Sequence, residues 1–251
     1  MGSGYIVQRG GGKDYSTFKS LVDDTLTEVT PEMVEGCTKF SSYIFADCTE
    51  LTNISIPQSV TIIEQYAFYN CSSLTSVTIP TSVTSIGGYA FQNCSSLTSV
   101  TIPNSVLSTG ELVFKGCSSL TSVIIPNSIA WIRYGLFQNC TSLTSVTIPS
   151  SVTRIDGSVF QGCSSLTSVI IPNSVNRIEG LAFYHCSSLS SATIEATTPP
   201  TLSGDIFPGT SENLVIYVPA ESVETYKSAN IWSTYASRIQ AIPSTWYFKL
   251  I

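Results

Sequence analysis

Cysteine is the residue type in this chain with the widest chemical repertoire, since a thiolate can attack carbon, ligate a soft metal or close a disulfide. Eight are present, and seven of them, Cys48, Cys71, Cys94, Cys117, Cys140, Cys163 and Cys186, fall at a constant interval of 23 residues. Metal sites want clustered ligands such as C-x-x-C, and the sequence has no such cluster. Residues at a constant period point the same way in successive units of a stack, so these seven read as a ladder of small buried thiols. Cys37 stands off the period and is the one expected to behave differently. The single histidine, His185, occupies the position of Asn70, Asn93 and Asn139 in other units and reads as a turn residue. A Ser-His-acid arrangement requires a sharp nucleophile turn; there is no G-x-S-x-G, and the many serines are repeat positions. Asp156 and Glu179 share one position on the outside of the repeat and read as solvated carboxylates. The expectation is a protein that is not an enzyme, with no catalytic residue, metal or cofactor.

The elements that carry these residues follow from the same period. Counting from each Cys, Leu stands at +3 (Leu51 through Leu189), Val or Ile at +6 except for Ala192 in the last unit, Ile at +8 and Pro at +9 in six units, Pro57 to Pro172. Val or Ile follows at +12, Ile at +15 in most units, and Phe at +20 (Phe68, Phe91, Phe114, Phe137, Phe160, Phe183). The segment L-T-S-V-T-I alternates polar with apolar as a half-buried strand does, and the proline ends it because it cannot donate to a ladder. S-V-T-S-I-G-G suits a second short strand, and Y-A-F-Q-N-C a single tight helical turn before the next coil. One unit cannot bury its own apolar face, so the units must stack, about 4.8 Å apart where their strands pair.

Composition narrows the partners. Only 11 % of residues are charged, against roughly 25 % in an average globular chain, and Ser, Thr, Asn and Gly replace them. With a net charge of −6 and cations scattered singly, no basic stripe exists to neutralise phosphates, which argues against nucleic acid and anionic membranes. No apolar run reaches the roughly 18 residues of a membrane span. The glycine-rich start lacks the apolar core of a secretion signal and reads as a flexible leader.

The pattern C-x-x-L-x-x-V-x-I-P-x-x-V-x-x-I-x-x-x-A-F-x-x resembles the BspA-like, or treponemal-type, leucine-rich repeat over about residues 26 to 195, with the cysteine, the proline and the Ala-Phe pair all in register. The resemblance implies an α+β repeat solenoid, a right-handed leucine-rich-repeat superhelix of short parallel β-strands and short helical turns, capped at both ends. It also implies an extracellular or cell-surface protein that adheres to a host matrix protein, mucin or other glycan. One departure stands out: where the general leucine-rich repeat has Asn or Cys three residues after the last apolar strand residue, this chain has Ser82, Ser105, Ser128, Ser151 and Ser174. A serine ladder can bond the neighbouring coil's backbone, and a different coil geometry is expected on that side.

Three segments are expected: a leader and N-terminal cap over 1–36, with helix-like spacing around Phe18, Leu21 and Val22 and a degenerate repeat from Leu26; a solenoid of seven 23-residue units over 37–195; and a C-terminal cap over 196–251, in which NLVIYVP reads as a strand and AESVETYKSA as a short helix. The terminal TWYFKLI suits one more strand or a contact surface. Along the main strand face, Ser76, Ser99, Ser122, Ser145 and Ser168 alternate with Thr78, Thr101, Ile124, Thr147 and Ile170, giving a flat, neutral, nearly invariant surface. Variation concentrates at +14 to +18, where Trp131, Arg133 and Tyr134 are followed by Arg154 and Arg177. Trp131, Arg154 and Arg177 share one position in successive coils and should form a stripe about 10 Å long, of the residue types that dominate binding hot spots. A binding protein with a protein or glycan ligand is the leading expectation, with this stripe as the candidate site beside ordinary solvated residues paired as Arg154–Asp156 and Arg177–Glu179. A structural spacer, or a receptor-binding repeat protein of a phage tail, are the alternatives.

Overall fold

The computed structural model describes residues 25–245, and each repeat in it contributes two short strands. Those that follow the leucine are β1 (Glu28–Val29), β3 (Asn53–Ile54), β5 (Ser76–Thr78), β7 (Ser99–Thr101), β9 (Ser122–Ile124), β11 (Ser145–Thr147), β13 (Ser168–Ile171), β15 (Ser191–Ile194) and β17 (Val215–Val218), with β18 (Ile239–Ala241) closing the row. Those that follow the proline are β2 (Lys39–Phe40), β4 (Ile62–Ile63), β6 (Ser85–Ile86), β8 (Ser108–Thr109), β10 (Trp131–Ile132), β12 (Arg154–Ile155), β14 (Arg177–Ile178) and β16 (Thr201–Leu202). All pairings are parallel and join a residue to its equivalent in the next coil, as in Ser76 with Ser99 and Ile63 with Ile86. The chain is therefore a parallel-strand solenoid whose core is the stacked inner side of every coil. The expected helix-like segment around Phe18 and the last residues, 246 to 251, lie outside the described residues.

The third side of each coil is the turn that carries Ala-Phe and Cys. It closes through single i to i+3 bonds, Tyr69 N–H to Tyr66 O and Cys71 N–H to Phe68 O. Left-handed residues at Tyr66 and Asn70 stop it from propagating as a helix. The phenylalanines are buried and stack ring on ring from Phe45 to Phe207 at 5.0 to 5.8 Å. The periodic cysteines are buried as expected, and from Cys71 to Cys186 each thiol donates to the carbonyl of a phenylalanine 26 residues earlier. Burial pushes the Cys117 and Cys186 thiols up to about 12 and keeps them protonated. Cys37 is only partly buried. His185 adopts the left-handed turn conformation of Asn70, Asn93 and Asn139, with φ of 56°. Its ring packs so closely on the next coil that a side chain at Gly209 would lie 2.7 Å from Nδ1.

Hydroxyl columns tie the coils together. Ser82, Ser128, Ser151 and Ser174 donate to the carbonyl at the +12 position of the preceding coil at 2.6 to 2.9 Å, which is the serine ladder expected from sequence. Ser105 is the exception, its Oγ buried without a partner, as is Oγ1 of Thr109 in the same coil. Both strand rows are unpaired between this coil and the next, β7 from β9 and β8 from β10. The first row is also unpaired between β11 and β13 and is reduced to a single bridge between β3 and β5.

Stacking continues past Thr197–Pro200, where the sequence period breaks. Thr201 pairs with Arg177 and Val215 with Ser191, an offset of 24 instead of 23, so the coil absorbs one extra residue. The strand expected in NLVIYVP is β17, and the helix expected in AESVETYKSA is α1 (Val223–Ser228). Tyr226, Trp232 and Tyr235 then cover the stack end edge to face, anchored by Tyr226 Oη to Ala196 O and Trp232 Nε1 to Pro200 O, both 2.8 Å.

Candidate functional site

The +14 position of each coil lies on a second-row strand, and its side chain points outward because its neighbour at +15 is the buried isoleucine. Parallel register places Trp131 beside Arg154 and Arg154 beside Arg177, so the stripe expected from sequence exists. Arg133 and Tyr134 follow Ile132 at the end of β10. Trp131 is exposed, and two guanidiniums lie over its indole, Arg133 Cζ at 3.8 Å and Arg154 Cζ at 4.4 Å from the ring centre. Tyr134 is exposed and its ring packs over Gly157 of the next coil, where an added Cβ would meet it at 3.7 Å.

The carboxylates correct one expectation. Asp156 is buried, with 8 % of its surface accessible, and Glu179 is shielded, so neither is a solvated side chain. Arg154 Nε meets Asp156 Oδ1 at 2.9 Å, and its Nη2 reaches across to Glu179 Oε1 at 3.0 Å; Arg177 Nε meets the same oxygen at 2.7 Å. Hydrogen bonds from Ser203 and Arg177, together with the nearby guanidinium charges, hold the Glu179 carboxyl below its ordinary range. Arg154 and Arg177 are thereby fixed, and among the described residues Arg133 has no carboxylate partner. Both carboxylates of this array are ion-paired, and its cations are arginines, which stay charged. The array can present rigid donors to a partner.

A second feature, on the turn side of the coils, escaped the sequence reading. Tyr43, Tyr66 and Tyr89, one per coil at +18, stack face to face at 4.7 and 4.6 Å. The signal was a tyrosine at each 23-residue step, visible once that column is aligned. The main strand face also differs from expectation: it is not flat. Grooves of 630 and 370 Å³ open over it where β7 and β9, and β11 and β13, fail to pair.

Against known proteins, the pattern described as the BspA type leucine rich repeat region matches residues 38–167, 84–212 and 130–236. The chain belongs to the BspA-type leucine-rich repeat family. Among solved structures, a leucine-rich repeat protein from Bacteroides ovatus superposes with a TM-score of 0.59 at 26 % identity, over 80 % of this chain and 56 % of that one. The leucine-rich repeat protein of T. pallidum superposes with a TM-score of 0.53 at 32 % identity, over 56 % of this chain and 66 % of its own. A leucine rich cell surface protein from Faecalibacterium prausnitzii matches at 26 % identity over 86 % of this chain and 60 % of that one, with a TM-score of 0.46. This BspA-type chain thus spans little more than half to two thirds of these relatives' length. No curated protein matches it. None of its described helices is long and apolar enough to cross a membrane.

Proposed function

We propose that this chain is an extracellular or cell-surface adhesin that binds a host matrix protein through Trp131, Arg133, Tyr134, Arg154 and Arg177. The observation that carries the reading is the immobilised guanidinium stripe. Stacking on Trp131 and pairing with Asp156 and Glu179 fix long side chains before any partner arrives, so association loses less side-chain freedom than it would on an ordinary arginine surface. Aromatic and arginine anchors of this type dominate protein interfaces. The cover of guanidiniums over the indole favours a protein over a sugar, whose C–H face would need that ring bare. Membership of the BspA-type family and the sparsely charged surface support a role in adhesion.

The test is binding of the chain to immobilised matrix proteins and mucin glycans, beside a variant carrying Trp131→Ala, Arg154→Ala and Arg177→Ala. Saturable binding to a matrix protein, weakened at least about tenfold in the variant with its circular dichroism unchanged, is the expected result. Binding that survives in the variant removes the site from the stripe, and no binding to any surface on the panel favours a spacer whose length is what matters.

A further inference from the structure

The tyrosines of the turn side stand where the fold does not call for an aromatic ring. Tyr43, Tyr66 and Tyr89 have left-handed backbone, with φ of 63°, 59° and 61°, a conformation uncommon for a bulky residue. Leu112, Gly135, Ser158 and Leu181 hold the same conformation at the same place in the coils that follow, so a small side chain closes the turn as well. The three tyrosines nevertheless stack face to face at 4.7 and 4.6 Å, with ring planes within 5° of parallel. An inner column of rings, Phe45 to Phe207, already runs along the stack, so packing is provided for without them. What this outer column adds is phenol at the surface: Tyr43 is 48 % exposed, and Tyr66 and Tyr89 are partly exposed. Other tyrosines are placed differently. Tyr134 packs over Gly157, Tyr184 meets His185, and Tyr226 and Tyr235 both meet Trp232. Tyr69 joins the column from the side, edge to face with Tyr66 at 5.6 Å.

Phenols held in contact with each other and open to solvent are substrates for oxidative coupling. A haem peroxidase charged by one hydrogen peroxide removes one hydrogen atom from each of two phenols, and the peroxide leaves as two waters. The unpaired spin of each phenoxyl radical is shared between its oxygen and the ring carbons ortho to it. Two of those carbons join, and the hydrogen on each moves to its own phenolic oxygen, so one C–C bond forms and two C–H bonds are lost. Tyr66 enters as the neutral phenol, because desolvation and then the neighbouring phenols raise its pKa. Radicals on separate molecules must meet by diffusion, whereas here the second ring is already in contact and a tilt of one exposed ring brings the carbons together. Tyr66 has such a neighbour on each side. Either link fastens successive coils, and the one from Tyr66 to Tyr89 does so where first-row pairing is reduced to the bridge of Ser55 with Thr78.

We infer that Tyr43, Tyr66 and Tyr89 form a modification site, at which a peroxidase and hydrogen peroxide join Tyr66 to either neighbour as a dityrosine within one chain. The site is separate from the arginine stripe and stands independently of it. The experiment treats the dilute full chain with lactoperoxidase and hydrogen peroxide, follows dityrosine fluorescence, and maps the product by mass spectrometry after cleavage at glutamate. Cleavage at Glu50 and Glu64 places Tyr43 and Tyr66 on different fragments, so their link appears as a joined pair two hydrogens lighter. A link from Tyr66 to Tyr89 leaves one fragment two hydrogens lighter, since no glutamate lies between them. Variants are Tyr43→Phe, Tyr66→Phe, Tyr69→Phe and Tyr89→Phe, each of which keeps the ring in place and removes only the hydroxyl. Dityrosine is expected in the monomer, at a yield per chain that does not change with protein concentration. It should be lost in Tyr66→Phe and unchanged in Tyr69→Phe, while Tyr43→Phe retains only the link to Tyr89 and Tyr89→Phe only the link to Tyr43. Absence of dityrosine, cross-linking only between chains, links mapped only to other tyrosines, parental yield in Tyr66→Phe, or loss in Tyr69→Phe would each overturn the assignment.

Discussion

The column of turns and the column of second-row strands obey the same 23-residue period and use it in opposite ways. In the turns, Phe45 to Phe207 stack without interruption and the thiols repeat one hydrogen bond from coil to coil. In the second row the outward position runs through Lys39, Ile62, Ser85, Ser108, Trp131, Arg154 and Arg177, and pairing lapses between β8 and β10. A stack needs only some of its sides to be uniform. With one side closed by packed rings and thiols, the other is free to diversify and even to open, which is the arrangement a binding scaffold requires.

The sharpest way to break this contrast is to remove one ring. Phe137 is fully buried between Phe114 and Phe160, so Phe137→Ala deletes contacts with two coils at once. A loss of about 3 to 5 kcal/mol is expected from urea unfolding. Tyr66→Ala, in the partly exposed tyrosine stack, should cost about 1 kcal/mol. Equal losses would mean that the exposed rings of the turn side hold the stack as firmly as its buried ones.

A smaller effect of opposite sign comes from the junction where both rows lapse. Thr109 stands where other coils have Ile63, Ile86, Ile132, Ile155 and Ile178, and its buried Oγ1 has no partner. Thr109→Ile removes an unsatisfied hydroxyl and restores the repeat's own side chain, so stability should rise by about 1 to 2 kcal/mol. Unchanged or lower stability would show that the opening is set by something other than this residue.

Positions that face inward were legible because one physical demand, filling a narrow interior, recurs in every coil and leaves the same residue each time. The cysteines, phenylalanines and serine ladder were read correctly on that ground, and the stripe was placed because strand pairing translates a 23-residue step into adjacency. Asp156 and Glu179 were misjudged because burial there arises between coils: Arg154 crosses to Glu179, a contact that no single unit displays. The grooves were hidden because they depend on where pairing fails, although Ile124 and Ile170 on a threonine column were the trace they left. The C-terminal coil was obscured by one inserted residue, which moves Phe207 to 24 positions after Phe183.

The smallest expected effect tests whether the varied side contributes stability as well as recognition. Glu179 has its pKa lowered in the folded chain by Ser203, Arg177 and Arg154. A lowered carboxyl pKa stabilises fully above the unfolded value, about 4.3, and that contribution disappears as pH falls through the lower folded value. Because the pairs sit near the surface, Glu179→Gln should cost only a few tenths to about 1 kcal/mol at pH 7. The difference between variant and parent should shrink steadily below about pH 4. A gap that persists at pH 3 would assign the loss to packing rather than charge. A gap absent at pH 7 would leave the paired arginines with recognition as their role, and would make the contrast with the turn column complete.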